Sequence, residues 1–146
     1  MDKVSSRYAE ALMEIAAMTY SYDAYKQQAK VIRQAFKDNP EFGSLFQKTQ
    51  LSDEEKKALI QSVFGKKIDP MIINLMYLLV DKRRMMLVAE IMDEYIHMAN
   101  HKLAIEEGIV YSIRQLPESD MKDLERELSL KHHVSVELTN KIDINL

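Results

Sequence analysis

The sequence predicts a mainly α protein: an N-terminal six-helix bundle followed by a small, incomplete strand–helix–strand α/β unit. Three observations carry this. Apolar residues recur at helical spacing over the first hundred or so positions, punctuated by cap and breaker residues. After about Ala104 the period falls to two. Only three glycines and three prolines occur in 146 residues, so turns are few and elements long. The expected division is 1–104 for the bundle and 105–146 for the partial α/β unit.

Ser5 or Ser6 is expected to cap the first helix, with Tyr8, Ala11, Leu12, Ile15, Ala16 and Thr19 as its apolar stripe. Ser21 and Asp23 restart the chain as a second helix carrying Tyr25, Ala29, Ile32, Ala35 and Phe36. Asn39-Pro40-Glu41 reads as a stop and a new start. A short third helix then turns Phe42, Leu45 and Phe46 inward. Ser52-Asp53-Glu54-Glu55 is a capping box, and its acidic run suits the positive end of the helix dipole. The fourth helix is expected to bury Leu59, Ile60, Val63 and Phe64, and Gly65 to end it.

The fifth helix organises the bundle. Asp69 is a natural N-cap and Pro70 suits the first helical position. From Met71 to Val80 only Asn74 is polar. A helix apolar on nearly all sides must be buried on nearly all sides, yet the run is too short to span a bilayer. Met71, Ile72, Leu75, Met76 and Leu79 share one broad face, and Ile73, Tyr77 and Val80 form a second. Asn74 and Asp81 leave a narrow polar wedge edged by Tyr77 and Leu78. Lys82-Arg83-Arg84 interrupts the run. A sixth helix turns Val88, Ile91, Met92, Tyr95, Ile96 and Ala99 inward.

Beyond it, Ile109, Tyr111 and Ile113 alternate with Val110, Ser112 and Arg114, as in a strand. Pro117-Glu118-Ser119-Asp120 opens a helix with Met121, Leu124 and Leu128 on one side. Val134, Val136 and Leu138 form a second alternating run, and Ile142, Ile144 and Leu146 begin a third. So few strands under one helix bury little, so this unit is expected to need a partner or a continuation of the chain.

Composition narrows the function. The chain is 47% hydrophobic and 29% charged, neither a disordered nor a membrane composition. A net charge of −3 argues against a nucleic-acid partner. No cysteine is present, which excludes disulfides and thiolate metal sites. No signal peptide opens the sequence, so any link to a membrane is expected to be indirect. Ten methionines fit either a Met-rich core or an adaptable binding surface.

Nothing argues for catalysis or a cofactor. Glu94-x-x-His97, with His101 one turn on, has the spacing of half a di-iron site, but no second copy faces it. A solvated helix face is the plainer account; a bundle metalloenzyme using Glu94, His97 and His101 is the remote alternative. His132-His133 and Lys131 suit a helix C-terminus. Lys66-Lys67 and Lys82-Arg83-Arg84 lack the interleaved aromatics of a nucleic-acid patch. No phosphate loop, nucleophile elbow or H-E-x-x-H occurs. What remains is surface. Ala11 beside Tyr8 on the first helix, and apolar residues to spare on the fifth, outline a groove for an amphipathic helix. The two stripes packing only on their own neighbours is the alternative.

Three stretches carry a resemblance. Asn74-Leu75-Met76-Tyr77-Leu78-Leu79, with Arg84 and Ile91, resembles the N-(F/L)-L-x-L-L … R … I pattern of the delta subunit of F-type ATP synthase, the relative of the mitochondrial oligomycin-sensitivity-conferring protein. Ser6-Arg7-Tyr8-Ala9-Glu10-Ala11-Leu12 resembles that family's (A/R)-x-Y-A-x-A-L opening. Val110-Tyr111-Ser112, Gln115-Leu116, Val136-Glu137-Leu138 and Lys141-Ile142-Asp143 resemble its tail. The resemblance implies a non-catalytic stator of the peripheral stalk, at the cytoplasmic face of a bacterial plasma membrane, serving proton-driven ATP synthesis. It implies that helices one and five clamp the N-terminal helix of an alpha subunit, and that the C-terminal part holds the end of the b-subunit stalk. By position, Tyr8, Ala11 and Leu78 fall in that groove, with Ile15, Asn74 and Lys82 as inferred neighbours. Arg83 stands where the family usually has glycine, so a different turn is expected there. The Gly-Gly that follows the V/I-D segment in the family is absent, which leaves the b-subunit contact incomplete. A helical adaptor from another system, with the same groove and a different partner, is the second reading.

Overall fold

The computed structural model describes residues 3–146. They fall into two compact units, the first reaching Ala99 and the second covering Asn100–Leu146. The first holds α1 (Lys3–Thr19), α2 (Tyr22–Asp38), α3 (Pro40–Leu45), α4 (Asp53–Phe64), α5 (Pro70–Asp81) and most of α6 (Val88–Leu103). A 3-10 turn, Met85–Leu87, leads into α6.

The core is built where the longest apolar runs meet. Ile72, Met76 and Leu79 of α5 are fully buried, as are Ile91, Met92, Tyr95 and Ala99 of α6 and Leu12, Ala16, Ala29 and Ile32 of α1 and α2. Tyr95 keeps its one polar atom satisfied: its hydroxyl donates to the Tyr22 carbonyl at 2.9 Å. Burial pushes its phenol well above the usual tyrosine range. A cluster of Phe36, Phe42, Phe46 and Phe64, with ring centroids 4.8–6.2 Å apart, closes one end.

Side-chain chemistry sets most helix ends. The Ser52 side chain accepts from the Glu55 amide at 3.1 Å while Glu55 accepts from the Ser52 amide, the complete capping box. Asp69 accepts from the Met71 amide at 2.8 Å and Pro70 fills the first position of α5. Asp69 is itself held by Gln28, which accepts its amide proton, and by Tyr25, whose hydroxyl donates to it. The expected cap at Ser5 or Ser6 is absent. Both lie inside α1, where Ser5 is buried and donates to Glu90 of α6 at 2.6 Å. Tertiary packing has extended the helix past its local stop signal. Val63 is not buried either but 39% exposed, because Ile60 and Phe64 take the inward positions of α4.

The second unit contains β1 (Ile105–Ser112), α7 (Glu118–His132) and β2 (Ser135–Ile142). The strands pair in parallel, from Ile105 opposite Ser135 to Ser112 opposite Ile142. Helix α7 supplies acceptors to amides of β2: Ser129 takes the Val136 N–H at 3.0 Å and Glu125 the Leu138 N–H at 2.7 Å. Ile109 and Tyr111 are about half exposed. The expected third strand does not form. Asp143 turns the chain instead, accepting from Asn145 through its side chain and from Leu146 through its carbonyl, and Ile144 and Leu146 are exposed.

Candidate functional site

Helix α1 carries two stripes set one residue apart. Ser5, Ala9, Leu12 and Ala16 face the core and are sealed. Val4, Tyr8, Ala11 and Ile15 follow one residue behind each, about 100° round the helix, and are half-buried or exposed. The single stripe expected from the sequence is therefore split, with Leu12 and Ala16 in the core and Tyr8, Ala11 and Ile15 beside it. Val4 to Ile15 spans roughly 16 Å of helix axis.

Helix α5 has the same division. Ile72, Ile73, Leu75, Met76, Leu79 and Val80 are buried. Met71 and Leu78 are 43% and 42% exposed, and Asn74 lies exposed between them. Met71 is thus not part of the buried face assigned to it from periodicity. Neighbouring helices cover most of α5 but leave one edge bare, as a domain of this size allows.

The bare edges meet. Val4, Tyr8, Ala11 and Ile15 on one side and Met71, Asn74, Leu75 and Leu78 on the other line a groove of about 470 Å³, with Arg7 and Arg84 at its margin. Arg84, just after α5, donates to the Tyr8 hydroxyl at 2.9 Å, and its guanidinium lies 5.9 Å from the centre of the Tyr8 ring. This contact ties the start of α1 to the end of α5 and fixes a cation at the rim. No carboxylate among the described residues lines the groove.

Five of the six residues singled out from the sequence, Tyr8, Ala11, Ile15, Asn74 and Leu78, line this groove. Lys82 does not. It is the exposed C-cap of α5, where its backbone N–H bonds the Leu78 carbonyl, and it is not among the groove's lining residues. Val4, Arg7, Met71, Leu75 and Arg84 were not anticipated as lining. Val4 shares the 4-8-11-15 spacing of the α1 stripe and was legible in principle. The placement of Arg84 depends on the turn that follows α5.

That turn is a Schellman motif. The Arg83 N–H bonds Val80 and the Arg84 N–H bonds Leu79 at 2.8 Å, with Arg83 left-handed at φ 56°. Arg83 therefore adopts the backbone conformation a glycine would take there, and the chain reverses into the 3-10 turn. The alternative metal site is not assembled: Glu94 is buried whereas His97 and His101 are exposed. No group of three His, Cys, Asp or Glu among the described residues could hold a metal ion. No described helix is long and apolar enough to cross a membrane.

Residues 4–146 match the family model described as ATP synthase delta (OSCP) subunit. The chain belongs to that family. Among its relatives, ATP synthase subunit delta of Bacillus velezensis is 30% identical over 144 residues, covering 98% of this chain and 79% of the relative. The Bacillus subtilis subunit delta is 31% identical with the same coverage. A Bacillus cereus subunit delta is 32% identical over 117 residues, 80% of this chain and 64% of the relative. A chain in the cryo-EM structure of the Toxoplasma gondii mitochondrial ATP synthase hexamer shares the fold, with TM-score 0.71 at 20% identity, over 97% of this chain and 78% of that one. Delta (OSCP) subunits are structural members of the peripheral stalk and carry no catalytic site.

Proposed function

We propose that this delta-family chain is a stator that clamps the N-terminal helix of an ATP synthase alpha subunit in the groove between α1 and α5. The observation that carries the proposal is the groove itself: apolar, open and continuous over about three turns of α1, on a chain of this family. Tyr8 and Leu78 supply contact area, and Ala11 lets a second backbone come close. Arg7 and Arg84, with no carboxylate among the described residues that line the groove, favour an amphipathic helix with an acidic residue flanking its apolar stripe. The C-terminal unit would then hold the end of the b subunit, linking the catalytic head to the stalk at the cytoplasmic face of the membrane during proton-driven ATP synthesis.

The test is calorimetric titration with a synthetic peptide of the alpha N-terminal helix. Leu78→Asp places a charge on the apolar floor without disturbing a buried residue. It should weaken binding by about 2 kcal/mol or more, roughly 30-fold. A folded Leu78→Asp protein that binds the peptide as tightly as the parent would reject the groove as the clamp.

A further inference from the structure

We propose that a second cleft, between the α3–α4 connection, α4 and the α5–α6 turn, binds a phosphate-sized oxyanion held by Lys56 and Arg83. The cleft has a volume of about 250 Å³, and its polar lining is Gln47, Thr49, Lys56 and Arg83, over a floor that includes Phe46 and Met85.

Lys56 is the unusual residue. It is only 6% exposed, yet its ammonium has no hydrogen-bond or ion-pair partner among the described residues. Its neighbour Lys57 shows the ordinary solution, an ion pair with Asp81 at 2.7 Å. The Lys56 stem is buried while its ammonium keeps contact with solvent, so the charge is presented to the cleft that the side chain lines. The cleft is where Lys56 can meet an anion, and no carboxylate among the described residues lines it. Asp53 and Glu54 line an adjoining cleft, which shares Thr49 and Arg83 with this one. Arg83 adds the second cation. Its side chain likewise has no partner among the described residues, and it occupies a left-handed position at φ 56° that glycine would hold more easily.

Two cations and two neutral hydrogen-bonding side chains match a tetrahedral oxyanion, which takes a planar fork and a point charge on different oxygens. The volume leaves room for the ion and a few waters. The site is separate from the α1–α5 groove and does not depend on what that groove binds.

The experiment is an amide NMR titration of the full chain with inorganic phosphate at constant ionic strength, with sodium chloride as the control. Saturable shifts are expected at Gln47, Thr49 and Arg83, reproduced by sulfate. Lys56→Met keeps the length of the buried stem and removes the charge; it should abolish saturation. Arg83→Ala, at an exposed position, should weaken it by at least about tenfold, and it carries the test alone if Lys56→Met fails to fold. Linear, unsaturable shifts spread over surface lysines would overturn the proposal. So would saturable phosphate binding that survives either substitution.

Discussion

Replacing Arg83 with glycine should stabilise the N-terminal unit. Arg83 sits at the left-handed position of the turn that ends α5, with φ 56°. A non-glycine residue there pays about 1–2 kcal/mol for the crowding of its Cβ. Glycine removes that cost but loses more freedom on folding, about 0.4–1 kcal/mol. The side chain is exposed and makes no ion pair among the described residues, so little else is lost. The net gain is about 0.5–1 kcal/mol. In urea, with a slope of roughly 1.5 kcal/mol per molar, the midpoint should rise by about 0.3–0.7 M. Arg83→Ala is the control: it removes the same charge but keeps the strained backbone, so its midpoint should stay near the parent's. The measurement belongs in phosphate-free buffer, where the proposed anion cannot favour the parent. A glycine variant no more stable than the alanine variant would show that the turn stores no strain.

Three further outcomes follow from the same geometry. Ser52→Ala removes the acceptor for the Glu55 amide and should cost about 1 kcal/mol of stability in the same urea assay. Burial holds the Tyr95 phenol in its neutral form, so the stability it supplies is complete below the ordinary tyrosine value near 10 and is lost as pH rises above it. Tyr95→Phe should lose about 1 kcal/mol at pH 7 with the bond to the Tyr22 carbonyl, yet show a flatter decline above pH 10 in circular-dichroism melts. Ala11→Trp should fill the groove from an exposed position, leaving the melt unchanged while blocking the alpha peptide in calorimetry.

Local chemistry alone was enough to place several features. The Ser52 capping box, the Asp69-Pro70 start of α5 and the inward stripe of α6 form as their residues dictate, because each rests on interactions within one turn or on one helix period. The family was legible in its spaced motifs. So were five of the groove residues: Tyr8, Ala11 and Leu78 by their position in the resemblance, and Ile15 and Asn74 as their neighbours by helix geometry.

Which side of a half-apolar stripe is sealed could not be read from periodicity, because that depends on which neighbour lies over it. Leu12 is sealed while Tyr8 and Ile15 are only half-buried, and Met71 lies open though it belongs to the same apolar run as Ile72. Ser5 looked like a cap until Glu90, 85 positions away, was brought against it. Arg84 entered the groove, and Lys82 did not, because the left-handed turn at Arg83 redirects the chain within two residues. Periods and caps are properties of a few adjacent residues. Burial and charge placement are properties of helices distant in sequence and close in space, and those follow only once the bundle has closed.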